Sequence, residues 1–497
     1  MNGIRLRWER KLAAMNRIIR LFFIDGLITL GILIAIQTSA PRAMAIPAFA
    51  RKYHTSCSTC HSNWPQLNDF GRAFKINGFK FPKDDEDFLK EPPLMLGAQA
   101  QKEAFPYSIY PGELPILPIS FRYSGYLTYT SPQPPEVTAA AGYVPSTDLF
   151  QPNTFTIFAA SSLGPSLAFW IDDDISTAGS GANGGLGDGY IKANNFLGHY
   201  VHVPQNDLNV RLGQFELDLP FTQARSINLT NYAIYDETAY VNPTGTGPLA
   251  GTTANPLTFA SPQRGVEIGG YPNRGYTWWT VTLLDGGNSL GTVNSKDVYV
   301  NLGQRFDLER NPEIRKQLQA SGATGVHDHT SIRFNAFGYL GNNELNQGGA
   351  RYAGLPTINE PFYRAGGAFD YKFRGNFELW GLYEHAHDSN KALNAGGTDF
   401  VSATPVTFSG GFLEAEYWFY PWIVGEIRYD GVNSPTDRIN GISRFDTRSN
   451  YSPGLQILAR PNIRLEMQYS VNYQQPVPGT GTFYRSNQFL SGVDFAF

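Results

Sequence analysis

From about residue 119 onwards, the chain repeats short segments in which apolar and polar side chains alternate. In residues 462–474 the odd-numbered positions carry Ile, Leu, Met, Tyr, Val and Tyr, and the even-numbered positions carry only polar residues. This strict period of two predicts a β-strand with one apolar and one polar face. The same alternation recurs in residues 331–340, 411–419 and 422–430. The pattern predicts sixteen strands, beginning near residues 119, 152, 165, 188, 206, 262, 274, 295, 329, 362, 374, 408, 422, 452, 462 and 485.

The connections between these strands alternate in length. The longest loop covers roughly residues 221–261, and the last strand closes on an aromatic residue, Phe497, as outer-membrane barrels do. A soluble β-sandwich would need a second sheet over each apolar face, whereas lipid accepts such faces directly. The pattern therefore predicts a mainly β fold, an outer-membrane antiparallel barrel of about 16 strands over residues 119–497 with its short turns on the periplasmic side. The short turns are predicted at Gly164-Pro165, Pro272-Asn273, Arg374-Gly375, Tyr420-Pro421 and Pro461-Asn462.

Composition agrees with this fold and excludes others. Charged residues make up 16% of the 497, against about 25% in an ordinary soluble domain, while 51 glycines and 33 prolines supply many turns. Mean hydropathy is −0.28, and one stretch alone approaches the ~20 apolar residues of a membrane helix, which excludes a polytopic helical protein. A net charge of −4 gives no reason to expect nucleic acid as a partner.

Residues 1–45 have the pattern of a secretory signal peptide. A basic stretch precedes the apolar run from Leu21 to Ile36, and Ala43-Met44-Ala45 offers a cleavage site. Met15 is an alternative start, and an uncleaved anchor is the competing interpretation. The pattern predicts a mature chain that begins at Ile46, outside the cytoplasm.

Both cysteines of the chain lie in one pentapeptide, Cys57-Ser-Thr-Cys60-His61. C-x-x-C-H is the attachment signature of c-type haem, in which both thiols add to one porphyrin and the histidine ligates the iron. A chance match and a redox dithiol are the alternatives. The motif predicts one covalent haem c, with Cys57 and Cys60 as anchors and His61 as the axial ligand.

The residues after this motif complete a small domain, predicted over residues 46–96. Apolar residues at helical spacing predict a short helix that starts near Asn63, with Pro65 in its first turn, and stops at Asn77-Gly78. Met95 is the candidate for the second axial ligand, with a histidine, water or an open site as alternatives. A Pro-rich link over residues 97–118 joins this domain to the barrel.

This N-terminal stretch resembles the start of the outer-membrane cytochrome–porin fusions of iron-oxidising bacteria. That family joins one c-type haem to a barrel of similar strand number and oxidises extracellular Fe(II), so the resemblance implies the same here. Three residues separate His61 from Pro65, a spacing typical of a wider set of cytochrome–porin proteins, whereas the iron-oxidising members usually have one more. The matching residues are Phe49-Ala50-Arg51, Cys57, Cys60, His61, Pro65, Leu67-Asn68, Phe70-Gly71-Arg72, Phe74-Lys75 and Gly78.

Other candidate metal ligands lie in the barrel. His385 and His387 share one strand face and are candidates for a divalent metal, although the same face carries apolar residues. Residues 172–174 are three aspartates at a predicted extracellular strand end; their hard carboxylates would suit Fe(II), and solvated loop charge is the preferred interpretation. Glutamates at 414, 416, 426 and 466, balanced by arginines, are predicted to form a polar pore wall without further function.

Together these features predict an outer-membrane electron-transfer protein, a possible Fe(II) oxidase, with no catalytic residues beyond the haem. Electrons would pass from an extracellular donor, with Fe(II) as the leading candidate, to a periplasmic c-type cytochrome or another carrier. The cytochrome domain would lie in the lumen or on the periplasmic side, because sixteen strands leave room for a plug. A porin-like solute channel with a haem plug or redox gate, and electron export to an extracellular acceptor, are the alternatives.

Overall fold

The computed structural model describes a large part of the chain after residue 47. The predicted signal peptide lies outside the described residues, as do most of the Pro-rich link and residues 314–329. Within the described part, no helix is long and apolar enough to cross a membrane. The described residues are 48–81, 94–95, 113–114, 118–130, 147–163, 166–176, 185–196, 203–204, 206–222, 226–242, 252–255, 257–259, 261–286, 295–310, 312–313, 330–345, 354–389, 391–393, 398–402, 405–435, 449–476 and 483–497.

Sixteen antiparallel strands form a closed barrel, each paired with its neighbours in chain order and the last paired with the first. The strands are β1 (Ile119–Thr130), β2 (Thr147–Leu163), β3 (Leu167–Ser176), β4 (Gly185–Ala193), β5 (Asn209–Phe215), β6 (Gln263–Gly270), β7 (Thr277–Leu284), β8 (Asp297–Asp307), β9 (Ser331–Leu345), β10 (Ile358–Phe373), β11 (Phe377–Asp388), β12 (Val406–Tyr420), β13 (Ile423–Val432), β14 (Asn450–Arg460), β15 (Ile463–Pro476) and β16 (Phe483–Ala496).

All sixteen predicted strands occur, so the predicted fold is confirmed. The predicted and observed first residues differ most for two strands. Strand β2 was predicted to begin near 152 and begins at Thr147, and β10 was predicted to begin near 362 and begins at Ile358. Both strands contain a proline, Pro152 and Pro361, which lacks the N–H group of a ladder residue and so interrupts the sequence pattern.

Alternation along the strands separates the two surfaces of the wall. On β12 the side chains of Glu414 and Glu416 point into the lumen and are buried, whereas Leu413 and Tyr417 point outward and are each 45% exposed. Short connections such as residues 374–376, 421–422 and 461–462 lie at one end, and most of the longer ones lie at the other; the longer connections 194–208 and 308–330 join strands at the short-turn end. The predicted alternation of turns and loops is therefore confirmed for the three short connections named here.

The N-terminal region lies inside the barrel at its short-turn end. We call residues 48–81 the plug; it contains helix α1 (Ala48–Tyr53), a 3₁₀ turn (Cys57–Thr59) and helix α2 (Asp69–Ile76). A buried aromatic cluster forms its core, in which Phe74 packs edge-to-face on Phe49 at 5.1 Å between ring centroids.

The described residues of the connection between β5 and β6 also fold into the lumen, and we call them the inward loop; they are residues 216–222, 226–242, 252–255, 257–259 and 261–262. The sequence indicated an external loop at nearly these residues. Instead, its Tyr232 ring stacks on Phe412 of β12 at 3.9 Å between centroids. Wall side chains satisfy its backbone: Arg428 donates to the carbonyl oxygens of Thr230 (2.8 Å) and Asn231 (3.0 Å). The loop contains one two-stranded sheet, Ala239–Asn242 paired with Thr252–Asn255, and its other buried peptide groups need such partners.

Candidate functional site

Helix α2 fixes the pentapeptide by a close backbone contact. A Cβ on Gly71 would lie 2.0 Å from the carbonyl oxygen of Cys60, so only glycine allows this approach. Asn68 caps the helix: its Oδ1 accepts from Gly71 N (2.8 Å), and its Nδ2 donates to Thr59 O (3.1 Å). Asn68 thereby satisfies an orphan amide of α2 and ties the helix to the Cys57–Thr59 turn.

The predicted helix start was therefore wrong, and its predicted stop was right. Residues His61–Asn63 form a short strand that pairs with Gln66–Leu67, so Asn63 does not cap a helix. Pro65 lies at the reversal between them, and α2 begins five residues later than the pattern suggested, after Asn68. At the other end, Asn77 is the C-cap and Gly78 adopts a φ of 69°, the left-handed conformation that glycine favours.

The His61 ring is oriented by the backbone of its own reversal. Its Nδ1 lies 3.2 Å from the Pro65 carbonyl oxygen and 3.3 Å from that of Gln66. When Nδ1 carries the proton and donates to these oxygens, the ring lone pair is on Nε2. Metal-ligating histidines are commonly fixed in this way, with one ring nitrogen donating to a carbonyl and the other facing the metal.

The two thiols lie one turn apart on the same segment, and the amide of Cys60 donates to the carbonyl of Cys57 at 3.1 Å. They form no disulfide. Burial raises the pKa of the Cys57 thiol to about 11. Burial, with a smaller contribution from Cys57, raises the pKa of the Cys60 thiol to about 12. Both are therefore neutral at physiological pH, unlike the activated thiols of disulfide oxidoreductases.

A cavity of about 400 Å³ opens beside the pentapeptide. Its volume falls within the ~300–1,000 Å³ typical of ligand and cofactor sites. Its walls are mainly apolar, and His61 is the one histidine among its described lining residues. The aromatic residues of the lining are Phe49, Tyr53, Trp64, Phe74, Phe79, Phe81, Phe158 and Trp170.

The cavity extends along β3 towards the long-loop end. Asp172 and Asp174 line it, together with Asp188 and Glu216. Asp172 accepts hydrogen bonds from Trp170 Nε1 (2.6 Å) and from the Asp188 amide (2.8 Å). Residues 172–174 belong to β3, so their predicted position at a strand end is right and only the assignment of their charge to a loop is wrong. Alternation then directs Asp172 and Asp174 into the lumen and exposes Ile171 outside.

The plug is attached to the wall mainly by charged and amide side chains. Asp69 pairs with Arg305 of β8 at 3.1 Å, and both side chains are nearly fully buried. Gln66 donates from Nε2 to Glu416 Oε2 of β12 at 3.2 Å. Arg72 lies 3.6 Å from Asp370 of β10. The short reversal that orients His61 is thus in direct contact with the barrel.

The remaining predicted ligands have different outcomes. Met95 lies in a two-residue strand, Leu94–Met95, but its side chain is outside the described part of the structure, so its role as second axial ligand stays a prediction. His385 and His387 lie on the outward face of β11, where His387 stacks on Tyr363 at 5.3 Å between ring centroids. They do not face the lumen, and metal binding there also stays a prediction.

One group of side chains was missed as a site by sequence reasoning. Glu414, Glu416 and Glu426 each place a carboxylate oxygen within 4.8 Å of the others, and all three are buried. Alternation in the sequence predicted that these side chains face the lumen. Their proximity depends on strand register, in which Glu416 lies opposite Glu426.

No protein-family model and no curated protein matches this chain. Among solved structures it is similar to the anion-selective porin from Comamonas acidovorans, at 11% identity and a TM-score of 0.46, over 76% of this chain and 98% of that one. It is also similar to Salmonella typhi OmpF in complex with daunomycin, at 12% identity and a TM-score of 0.43, over 76% and 97% of the two chains. A mutant of Rh. blastica porin gives 11% identity and a TM-score of 0.38, over 76% and 99%. These likenesses concern the barrel fold alone.

Proposed function

We propose that this chain is an outer-membrane cytochrome–porin fusion, in which a plug carrying one covalent haem c moves electrons from an extracellular donor to a periplasmic carrier. The observation that carries the proposal is the position of the C-x-x-C-H pentapeptide, inside a closed barrel and beside a cavity of about 400 Å³. The resemblance of residues 49–78 to the cytochrome–porin fusions supports the same assignment.

The residues present fit a haem. Cys57 and Cys60 would form the two thioether links, since they are one turn apart and both line the cavity. The carbonyl oxygens of Pro65 and Gln66 would hold His61 for ligation through Nε2. Phe74, Phe79 and the other rings would exclude water from the porphyrin faces. The haem would supply one-electron chemistry.

Outward-facing side chains support placement in a membrane. Leu302, Leu340 and Ile427 are more than half exposed, although soluble proteins rarely present such contiguous apolar surface. Aromatic residues flank this surface at the short-turn end, where Phe419 and Trp422 are 57% and 50% exposed. Aromatic girdles at both interfaces are typical of outer-membrane barrels.

The acidic side of the cavity supports a cationic donor. Asp172, Asp174, Asp188 and Glu216 line the part of the cavity towards the long loops. Their carboxylate oxygens suit a hard divalent cation such as Fe(II), which would be held near the haem edge. We therefore propose Fe(II) as the extracellular donor. Because the plug and the inward loop both occupy the lumen, this arrangement favours electron transfer over free passage of solutes.

The first experiment exposes intact cells that contain the oxidised protein to Fe(II) while the haem absorption spectrum is recorded. We expect rapid reduction of the haem. The variant His61→Ala, which removes the axial ligand, should lose the signal, and His387→Ala, an outward-facing histidine, should retain it. Cys57→Ser with Cys60→Ser should lose covalent haem altogether.

Two outcomes would contradict parts of this proposal. Absence of covalent haem in the wild-type protein would overturn the cytochrome assignment. A haem reduced by dithionite but not by external Fe(II) would overturn Fe(II) as donor. High ion conductance that changes with haem oxidation state would favour the redox-gated channel.

A further inference from the structure

Three neighbouring strands of the barrel place glutamates directly opposite one another. In the register of β11, β12 and β13, Glu378 faces Glu416, and Glu416 faces Glu426. Glu414 points into the lumen two residues before Glu416 on β12. Like charges directly opposite on one sheet face destabilise the pairing, so this arrangement requires compensation.

Hydrogen bonds compensate only part of the charge in the cluster of Glu414, Glu416 and Glu426. Glu414 accepts from Asn228 and from the Tyr232 hydroxyl (3.2 Å), both on the inward loop. Glu416 accepts from Gln66 of the plug through Oε2. Glu426 accepts from Gln456 Nε2 through Oε1 at 3.3 Å.

Two oxygens of the cluster have no hydrogen-bond partner in the described part of the chain. These buried atoms are Glu416 Oε1 and Glu426 Oε2, and the two residues are only 1% and 5% exposed. A buried carboxylate oxygen without a partner is costly, and buried charges are as a rule paired or bound to metal. Both residues belong to the set whose ligand oxygens lie within 4.8 Å of one another.

The arginines nearest the cluster form their ion pairs with other carboxylates. Arg428 forms an ion pair with Asp430 at 2.6 Å and otherwise bonds the inward loop. Arg464 contacts Glu466 (2.7 Å) and Asp494 (3.0 Å). Among the described residues, no lysine or arginine forms an ion pair with Glu416 or Glu426.

We propose that Glu414, Glu416 and Glu426 bind one divalent cation inside the barrel. Three carboxylates without histidine or cysteine make an all-oxygen ligand set, which suits Mn²⁺, Fe²⁺ or Mg²⁺ rather than softer metals. A cation there would neutralise the like charges that the register brings together and engage both unpartnered oxygens. The inference does not depend on the proposed haem, because none of the three glutamates lines the haem cavity.

Mn²⁺ provides the probe, because the electron paramagnetic resonance signal of free Mn²⁺ diminishes on binding. The full mature protein, purified in detergent from outer membranes, is titrated with Mn²⁺ at pH 7. We expect one site whose affinity is at least tenfold weaker in Glu416→Gln and Glu426→Gln than in the wild type, whereas Mn²⁺ bound at the acidic side of the haem cavity is the same in all variants. Glu360→Gln is the matched control, since Glu360 on β10 is equally buried but outside the cluster and hydrogen-bonded by Asn343.

The outcomes separate cleanly. Loss of the site in both cluster variants, with the wild-type affinity kept in Glu360→Gln, supports the proposal. A wild-type protein that binds no Mn²⁺ at millimolar concentration overturns it, and then shared protons must neutralise the cluster. Equal affinity in wild type and both cluster variants also overturns it. If Glu416→Gln fails to fold as a barrel, by circular dichroism, the wild-type titration and Glu426→Gln still decide the question.

Discussion

The plug has a core and helices of its own, whereas the inward loop shares its core with the side chains of the wall. In the plug, Tyr53, Phe74 and Phe79 pack on one another, and α2 is capped by Asn68. In the inward loop, the buried Tyr232 packs instead on a strand residue, Phe412. Two segments can therefore fill one lumen by different means, and disruption of each should have a different consequence.

The largest effect is expected from Tyr232→Ala in the inward loop. The variant removes the ring stacked on Phe412 and the hydrogen bond to Glu414, and truncation of a buried aromatic residue costs about 3–5 kcal/mol. The loop should leave its position, so ion conductance in planar bilayers should rise above that of the wild type, with the plug intact. Tyr451→Ala, at a residue 54% exposed on the outside, is the control. Unchanged conductance would show that the loop does not depend on this anchor.

A smaller effect, confined to the plug, is expected from Gly71→Ala. The new Cβ would lie 2.0 Å from a backbone oxygen that cannot move aside alone, and such overpacking costs about 1–3 kcal/mol. Limited proteolysis should cut the plug faster while the barrel stays resistant. Gly338→Ala is the control, because a Cβ there meets nothing within 4 Å. Equal cleavage of both variants would refute the close contact between α2 and Cys60.

The smallest effect is expected from Asn68→Ala, which removes the cap of α2. Loss of an N-cap costs about 1 kcal/mol, so amide hydrogen exchange in α2 should be roughly fivefold faster. Asn68→Asp keeps the acceptor for the Gly71 amide but loses the donor to Thr59. Its exchange rate in α2 should therefore lie between those of the wild type and Asn68→Ala. Amide hydrogen exchange in β12 should be the same in the wild type, Asn68→Ala and Asn68→Asp. A change in β12 would mean that the plug stabilises the wall.

The wall was predictable because its two surfaces impose a period of two, which residues 462–474 show without exception. The spacing of the pentapeptide predicts haem attachment, and that stays a prediction. The inward loop was missed since Tyr232, Ile234 and Tyr235 follow no strand or helix period, and their burial depends on a wall that other strands build. The glutamate cluster was missed for a related reason: Glu416 and Glu426 meet only through the register of β12 with β13.

The seam where the barrel closes lies beside the plug. Ala48 N donates to Ser120 Oγ at 2.7 Å, and Arg51 donates to the Ile119 carbonyl at 2.6 Å, so α1 is bonded to the first residues of β1. The next residue, Phe121, exchanges backbone hydrogen bonds with Phe497. Pairing of β1 with β16 joins the most distant strands in sequence, and contacts over so long a separation are intrinsically slow to form. During biogenesis, the plug would therefore pack on an open sheet before the wall encloses it.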